Sequence, residues 1–429
     1  MTHFPAMGRD SARRLLLAGT LAATLASPAL AQQPPLKIGV ILPLSGGFAQ
    51  SGQEVLVGMK IYLDSINNEV AGRKIELVVE DEQGKPDVGL NKARKLVEND
   101  HVQMLTGFVS SAVALAVNEY ARDKKVPMII NGDAGANELT IPGPLANPTL
   151  VRFSQNGRTP AAVAADFAWK KGWKKVSVMA SDYAGGFDTI SGFAQAFCKL
   201  GGTIVQEQYP PLSTNDYGPY ITNLKRDSDG LATFLAGGGG LRFAKQFNEV
   251  GLKEKIPLMD IYGLVVYEGN LPQLGEAAVG IFSTLHYTPM IKTPENEEFV
   301  KSYQARIKGL LPSDNGPDGW VGAKAIVEAA KAVDGRVEDT DRFMAALRQV
   351  KFKSAKGDVA LDKYGQVIQS MYVRRTEKQG SDYVNVPTAT YENVDQFWPF
   401  TYEEFSSYKN RYVDLKGSLT DCQKVLEKK

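Results

Sequence analysis

The chain has 429 residues, 43% hydrophobic and 23% charged, with 49 basic against 48 acidic side chains. A net charge of +1, with no basic run carrying interleaved aromatics, gives no electrostatic case for nucleic acid or an acidic membrane surface. The length exceeds what one typical core uses, so two domains are expected.

Residues 1–31 read as a secretory signal peptide. Arg9, Arg13 and Arg14 precede the apolar run Leu15 to Leu25, and Ser27-Pro28-Ala29-Leu30-Ala31 ends in the small-residue cleavage pattern. Cleavage after Ala31 leaves Gln32 first and a mature charge near −1. Arg13-Arg14 partly fits a twin-arginine signal, but Ala12 stands where Ser or Thr is usual, so general secretion is an equal expectation. Met7 is an alternative start. No later apolar run is long enough to span a bilayer. No Cys follows the signal in a position to be lipidated. A soluble, exported protein is therefore expected. Its two cysteines, Cys198 and Cys422, lack metal-site spacing. In an oxidising compartment their even count favours one disulfide over two free thiols, which would tie the C-terminal tail to the helix carrying Cys198.

After the signal, Leu36 to Leu42 is a strand, and Pro43 to Gly52 a Pro/Ser/Gly loop. Glu54 to Asn67 has the apolar spacing of a helix, through Val55, Met59, Tyr62, Leu63 and Ile66. A strand at Lys74 to Glu80 and a helix at Pro86 to Asn99 follow, Pro86 lying near the first turn. Val102 to Thr106 is a short strand, Gly107-Phe108-Val109 a turn, and Ser110-Ser111 opens an Ala/Val/Leu helix. Pro127 to Ile130 is the next strand. The second run has helices at Thr159 to Lys171, Gly185 to Leu200, Tyr217 to Arg226 and Leu241 to Val250. Its strands are Lys175 to Ala180, Gly202 to Gln208, Leu231 to Leu235, Pro257 to Met259 and Ile281 to Leu285. Such alternation implies right-handed crossovers and an α/β fold of two doubly wound parallel-sheet lobes. Three further helices are expected at Glu295 to Leu310, Gly319 to Val333 and Thr340 to Val350. The aromatic-rich tail shows strands at Ile368 to Arg375 and Tyr383 to Val386, completing the second lobe or covering the hinge.

An enzyme needs a nucleophile, an acid–base pair, a metal or a cofactor. His101 and His286 are isolated, and H-E-x-x-H, G-x-S-x-G, the P-loop and G-x-G-x-x-G are all missing. Gly237 to Gly240 lacks the Lys and Ser/Thr of a phosphate cradle. Glu80-Asp81-Glu82 reads as a solvated acidic turn. No catalytic residue, metal or cofactor is expected. Instead, small-residue loops follow the strands at Pro43 to Gly52, Gly107 to Ser111, Asn131 to Ala136, Asp182 to Gly186 and Gly237 to Gly240. In facing α/β lobes such loops converge on one cleft, which favours binding without chemistry. Ser110 and Ser111 either cap their helix or, with its free N–H groups and dipole, hold an anion.

Lys37-Ile-Gly-Val-Ile-Leu-Pro-Leu-Ser-Gly46 with Ala49-Gln-Ser-Gly52 resembles the opening of periplasmic branched-chain amino acid (Leu/Ile/Val-type) binding proteins of ABC importers. So do Thr106 to Ser111, Pro127-Met-Ile-Ile130 with Glu138-Leu-Thr140, and Asp182-Tyr-Ala-Gly-Gly186. The resemblance covers essentially the whole mature chain. It implies the type I periplasmic binding protein fold, two lobes joined by a three-segment hinge that closes on a ligand. The implied lobes are 36–151 plus 286–357, and 152–285 plus 358–429. The implied partners are a small ligand and the permease subunits of an inner-membrane transporter, with the protein a periplasmic monomer.

The family's ligand carboxylate is held by the serine turn, here Ser110 and Ser111 with Phe108 beside them. A further contact comes from the loop before Glu138-Leu-Thr140, where the family often has Ala-Thr and this chain has Asp133-Ala134-Gly135. Tyr183 matches the second-lobe tyrosine. The acid that pairs with a ligand ammonium falls near Tyr262, so it is absent unless Asp133 or Asp260 substitutes. Ser51 stands where a tyrosine is common, with Phe48 nearby, and Gly238-Gly239 leaves the second-lobe wall without side chains. A buried ammonium without a carboxylate partner is costly. The expected ligand is thus an aromatic carboxylate, a benzoate or phenylpropenoid acid. The alternatives are an aliphatic amino acid and, in other classes, a sensory module for a membrane receptor or an exported hydrolase.

Overall fold

The computed structural model describes residues 1–3, 33–409 and 415–429. The signal-peptide and cleavage readings fall on residues 4–32 and lie outside the described residues. The fold is carried by Pro34–Lys429.

The first sheet is built from β1 (Leu36–Leu42), β2 (Glu69–Val70), β3 (Arg73–Asp81), β4 (Met104–Gly107), β5 (Met128–Ile130) and β6 (Leu150–Arg152). Helices α1 (Ala49–Ser65), α2 (Pro86–Glu98) and α3 (Ser111–Asp123) alternate with these strands. The strand order is β2-β3-β1-β4-β5-β6. β1 is parallel to both β3 and β4, so the winding reverses direction there and leaves a crevice at the carboxyl ends of those two strands.

The second sheet holds β7 (Lys175–Ala180), β8 (Thr203–Gln208), β9 (Gly230–Phe234), β10 (Leu258–Ile261) and β11 (Phe282–Leu285). Between them come α4 (Arg158–Lys170), preceding β7, then α5 (Ala184–Lys199), α6 (Gly218–Thr222), α7 (Gly239–Glu249) and the short α8 (Leu271–Leu274). Its order reverses between β8-β7 and β9-β10, giving a second crevice. Helices α9 (Pro294–Arg306), α10 (Asn315–Ala332) and α11 (Thr340–Arg348) return to the first sheet. There Val321, Ile326, Phe343 and Leu347 share a core with Val40, Val55 and Met59.

The tail is more regular than its composition suggests. After β12 (Phe352–Ser354) and β13 (Gly357–Leu361) come β14 (Val367–Gln379) and β15 (Asp382–Val394), a long antiparallel hairpin. β14 also pairs antiparallel with β11. The second sheet is therefore mixed rather than wholly parallel. The strands run well past the segments expected at Ile368 to Arg375 and Tyr383 to Val386, because exposed charged residues at the hairpin tip interrupt the apolar alternation. The helix expected over Tyr217 to Arg226 shrinks to one turn, α6. Last come α12 (Tyr402–Ser407) and α13 (Cys422–Val425). Cys198 on α5 and Cys422 at the start of α13 are disulfide-bonded, with Cα atoms 5.4 Å apart.

The chain passes between the two sheets after β6, after β11 and around β12–β13. A buried ion cluster ties these passages together. Lys356 Nζ donates to the Phe153 carbonyl (2.6 Å) and to the Asp318 carboxylate, and His286 Nε2 lies 2.9 and 3.0 Å from the two Asp318 oxygens. Phe153, His286 and Lys356 each sit on one passage, and Asp318 sits on α10. Burial lowers the His286 pKa, so the neutral ring donates from Nε2.

Candidate functional site

The two sheet crevices face each other across one cavity of about 140 Å³. Its wall is made by loops that follow strands, as the switch-point topology requires. Phe48 and Ser51 come from after β1, Val109 from after β4 and Asp133 from after β5. Tyr183 follows β7, Gly237 and Gly238 follow β9, and Tyr262, Leu264 and Tyr267 follow β10. Gly237, at φ +62°, closes the rim. A Cβ there would lie 3.1 Å from the Gly47 carbonyl of the opposite half.

Aromatic rings dominate. Phe48 and Tyr183 have centroids 6.4 Å apart, Tyr183 stacks on Phe234 at 6.3 Å, and Phe234 meets Tyr262 edge-on at 5.2 Å. The turn presenting Tyr262 is built for it. Tyr262 is in the left-handed region at φ +71°, which costs a non-glycine residue about 1–3 kcal/mol. Asp260 offsets that strain by accepting from the Val265 and Val266 amides at 2.8 and 3.0 Å.

Of the residues singled out in the sequence, Phe48, Ser51, Asp133, Tyr183, Gly238 and Tyr262 lie on this wall. Phe108 does not. Its backbone is left-handed (φ +66°), which turns the ring into the core with Ile41, Val113 and Ile130. Ala134 is also a core residue, held through its amide to the Phe108 carbonyl (3.2 Å). Gly239 packs on Tyr217; a Cβ there would lie 2.5 Å from the Tyr217 hydroxyl. From the serine turn it is Val109 that reaches the wall. Ser110 and Ser111 come next, buried, and Ser110 as N-cap makes no side-chain capping bond. Asp260 does not line the cavity, and its Oδ2 is held by the loop amides. Glu82 is fully buried rather than solvated, and Asp81 accepts from Leu44 N and Ser45 Oγ, anchoring the loop that carries Phe48.

Gly135 stands off the wall but is matched to it. A Cβ there would sit 2.5 Å from the Tyr262 hydroxyl and 2.8 Å from the Gly157 amide. Gly135 thus leaves vacant the space that the Tyr262 phenol fills. Gly135→Ala should cost about 1–3 kcal/mol through overpacking. It should also weaken ligand binding, read by thermal melting with and without ligand.

Four residues that sequence reasoning missed join the two halves beside the cavity. Tyr267, on the second-sheet half, hydrogen-bonds Ser313, whose hydroxyl donates to Glu54 Oε2 at 2.5 Å. Asn315 Nδ2 reaches the Tyr267 hydroxyl (3.3 Å) and Asp133 Oδ2 (2.9 Å). Separations of 46 to 259 residues hide this set from any local pattern.

Burial pushes the carboxyls of Glu54, Glu82 and Asp260 up to about 7. The folded state holds these protons more tightly than the unfolded chain. The stability they contribute is fully present below the ordinary values, 4.5 for the two glutamates and 3.8 for Asp260, and is lost as pH rises through about 7. His286, with a lowered pKa, works in the opposite direction. Three carboxyls outweigh one imidazole, so the melting temperature should rise between pH 7.5 and pH 5.5. A fall across that interval would contradict the burial of these groups.

A cavity between two wound α/β halves, joined by three passages, is the architecture of type I periplasmic binding proteins. The chain belongs to the periplasmic binding protein family, whose sequence pattern matches residues 35–381. It is 31% identical over 366 residues to a Leu/Ile/Val-binding protein homologue of Brucella melitensis, covering 83% of this chain and 92% of that one. It is also similar to an ABC transporter solute-binding protein of Rhodopseudomonas palustris BisB5 in complex with 3,4-dihydroxybenzoic acid. That likeness has 32% identity and a TM-score of 0.79, covering 84% of this chain and 98% of that one. A further R. palustris solute-binding protein, in complex with 4-hydroxybenzoate, has 31% identity and a TM-score of 0.78, covering 84% and 97%. This protein is therefore an ABC transporter solute-binding protein.

Proposed function

We propose that the cavity binds an aromatic carboxylate and that the two halves close on it for delivery to the permease subunits of an importer. The observation that carries this reading is the file of rings Phe48, Tyr183, Phe234 and Tyr262 around the cavity. Two relatives with about this level of similarity hold hydroxylated benzoates. The ligand carboxylate meets the start of α3, through the free amides of its first turn and the Ser110 and Ser111 hydroxyls. In this reading the protein works as a periplasmic monomer after removal of residues 1–31, and its lobes are 36–151 plus 286–357, and 152–285 plus 358–429. No helix among the described residues is long and apolar enough to cross a membrane, which does not favour the receptor-fused sensory module.

One observation favours an amino acid instead: Asp133 is an acid on the cavity wall and would pair with an ammonium. Calorimetric titration of ligand-stripped protein with 4-hydroxybenzoate tests the first reading, with a saturable one-site isotherm expected. The Ser110→Ala/Ser111→Ala double variant should then bind about tenfold more weakly, given roughly 1.5 kcal/mol for a hydrogen bond to a charged group. Unchanged affinity would remove these side chains from the site.

A further inference from the structure

Asp133 is the sole acid on the cavity wall, and no Lys, Arg or His joins it among the described lining residues. Its Oδ2 accepts from Asn315 Nδ2 at 2.9 Å. No protein N–H reaches its buried Oδ1. Burial, and next the charge of Asp133, push the Asp314 pKa well above the usual carboxylate value, and the two carboxyls hydrogen-bond each other. Lys356, the nearest cation to act on it, is engaged by Asp318. A carboxylate has about four acceptor sites, so Asn315 and Asp314 leave it able to accept a further donor brought by the ligand.

The position of Asp133 is fixed. The next residue, Ala134, donates its amide to the Phe108 carbonyl at 3.2 Å, so the acid abuts the turn that leads into α3. Asn315, its donor, also touches the Tyr267 hydroxyl from the opposite half (3.3 Å). The orientation of the carboxylate is thus set by the same contacts that join the two halves.

We infer that Asp133 selects hydroxylated aromatic acids, its carboxylate accepting a hydrogen bond from a ring hydroxyl of the ligand. This deepens the aromatic-acid reading and rests on it. Benzoate and a hydroxybenzoate each bring one carboxylate, but an unsubstituted benzoate offers Asp133 no donor. A hydroxybenzoate compensates the acid, and a hydrogen bond to a charged acceptor is worth about 1.5–3 kcal/mol, or roughly tenfold to a hundredfold in affinity.

The test is calorimetric titration of the ligand-stripped full-length mature protein and of Asp133→Ala with benzoate and with 2-, 3- and 4-hydroxybenzoate. The wild type should bind its preferred hydroxy isomer at least tenfold more tightly than benzoate. In Asp133→Ala the two affinities should fall to within about threefold of each other, whatever the absolute affinity for benzoate. Because the readout is a ratio on one variant, a folding defect cannot imitate it. A preference for the hydroxy isomer that survives in Asp133→Ala would overturn the inference while leaving aromatic-acid binding intact. Equal affinities for benzoate and every hydroxy isomer in the wild type would do the same. Binding of leucine or valine, with no response to any benzoate, would overturn the aromatic-acid reading itself.

Discussion

Lys356→Met should be among the most destabilising single substitutions in this chain, costing about 3–5 kcal/mol. Lys356 is 2% exposed, and its ammonium neutralises Asp318, which is fully buried on α10. Without it, Asp318 keeps only the neutral His286 ring as donor, with the buried carboxyls of Asp314 and Asp133 close by. Because the cluster joins Phe153, His286 and Lys356, it fastens all three interlobe passages to one helix. The damage should therefore extend to closure. Denaturant unfolding reads the stability loss, and small-angle scattering with and without ligand reads the closure. A variant as stable as the wild type would show that the cluster is not an ion pair holding the hinge.

Loss of the disulfide should be the second large effect. The bond closes a loop with a sequence separation of 224 residues. The chain-entropy treatment of such a loop gives an upper value of about 5 kcal/mol. Leu415, Leu419 and Val425 lie fully buried against the second-sheet core, so apolar packing retains part of the tail's hold. The Cys198→Ser/Cys422→Ser variant should unfold at clearly lower denaturant, and proteolysis should begin in residues 415–429. If wild-type protein and variant unfold at the same midpoint, the bond does not form in the exported protein.

The order of strands and helices was legible because period-2 and period-3.6 patterns are local and the loops between them are marked by Gly, Pro and Ser. The cavity was legible at loop level for the same reason: topology sends every loop after a strand to one end of the sheet. Individual side chains were less so. Val109 takes the wall position expected of Phe108 because one left-handed residue after Gly107 changes which side chain faces the cleft. Gly135 looks like a lost contact until Tyr262, more than a hundred positions later, is seen to fill its space. His286 looks isolated because its partners, Asp318 and Lys356, come from α10 and from the loop before β13. The long β14–β15 hairpin was seen only in part, since its tip lies in solvent and carries no apolar alternation.

The measurement that bears most directly on the central claim is a thermal-shift panel on ligand-stripped protein. It compares benzoate, hydroxybenzoates and hydroxycinnamates with leucine, valine and phenylalanine. An aromatic acid at 100-fold excess over its dissociation constant should add about 2.7 kcal/mol, with little or no response to leucine and valine. Stabilisation by leucine or valine with none by any aromatic acid would contradict the account.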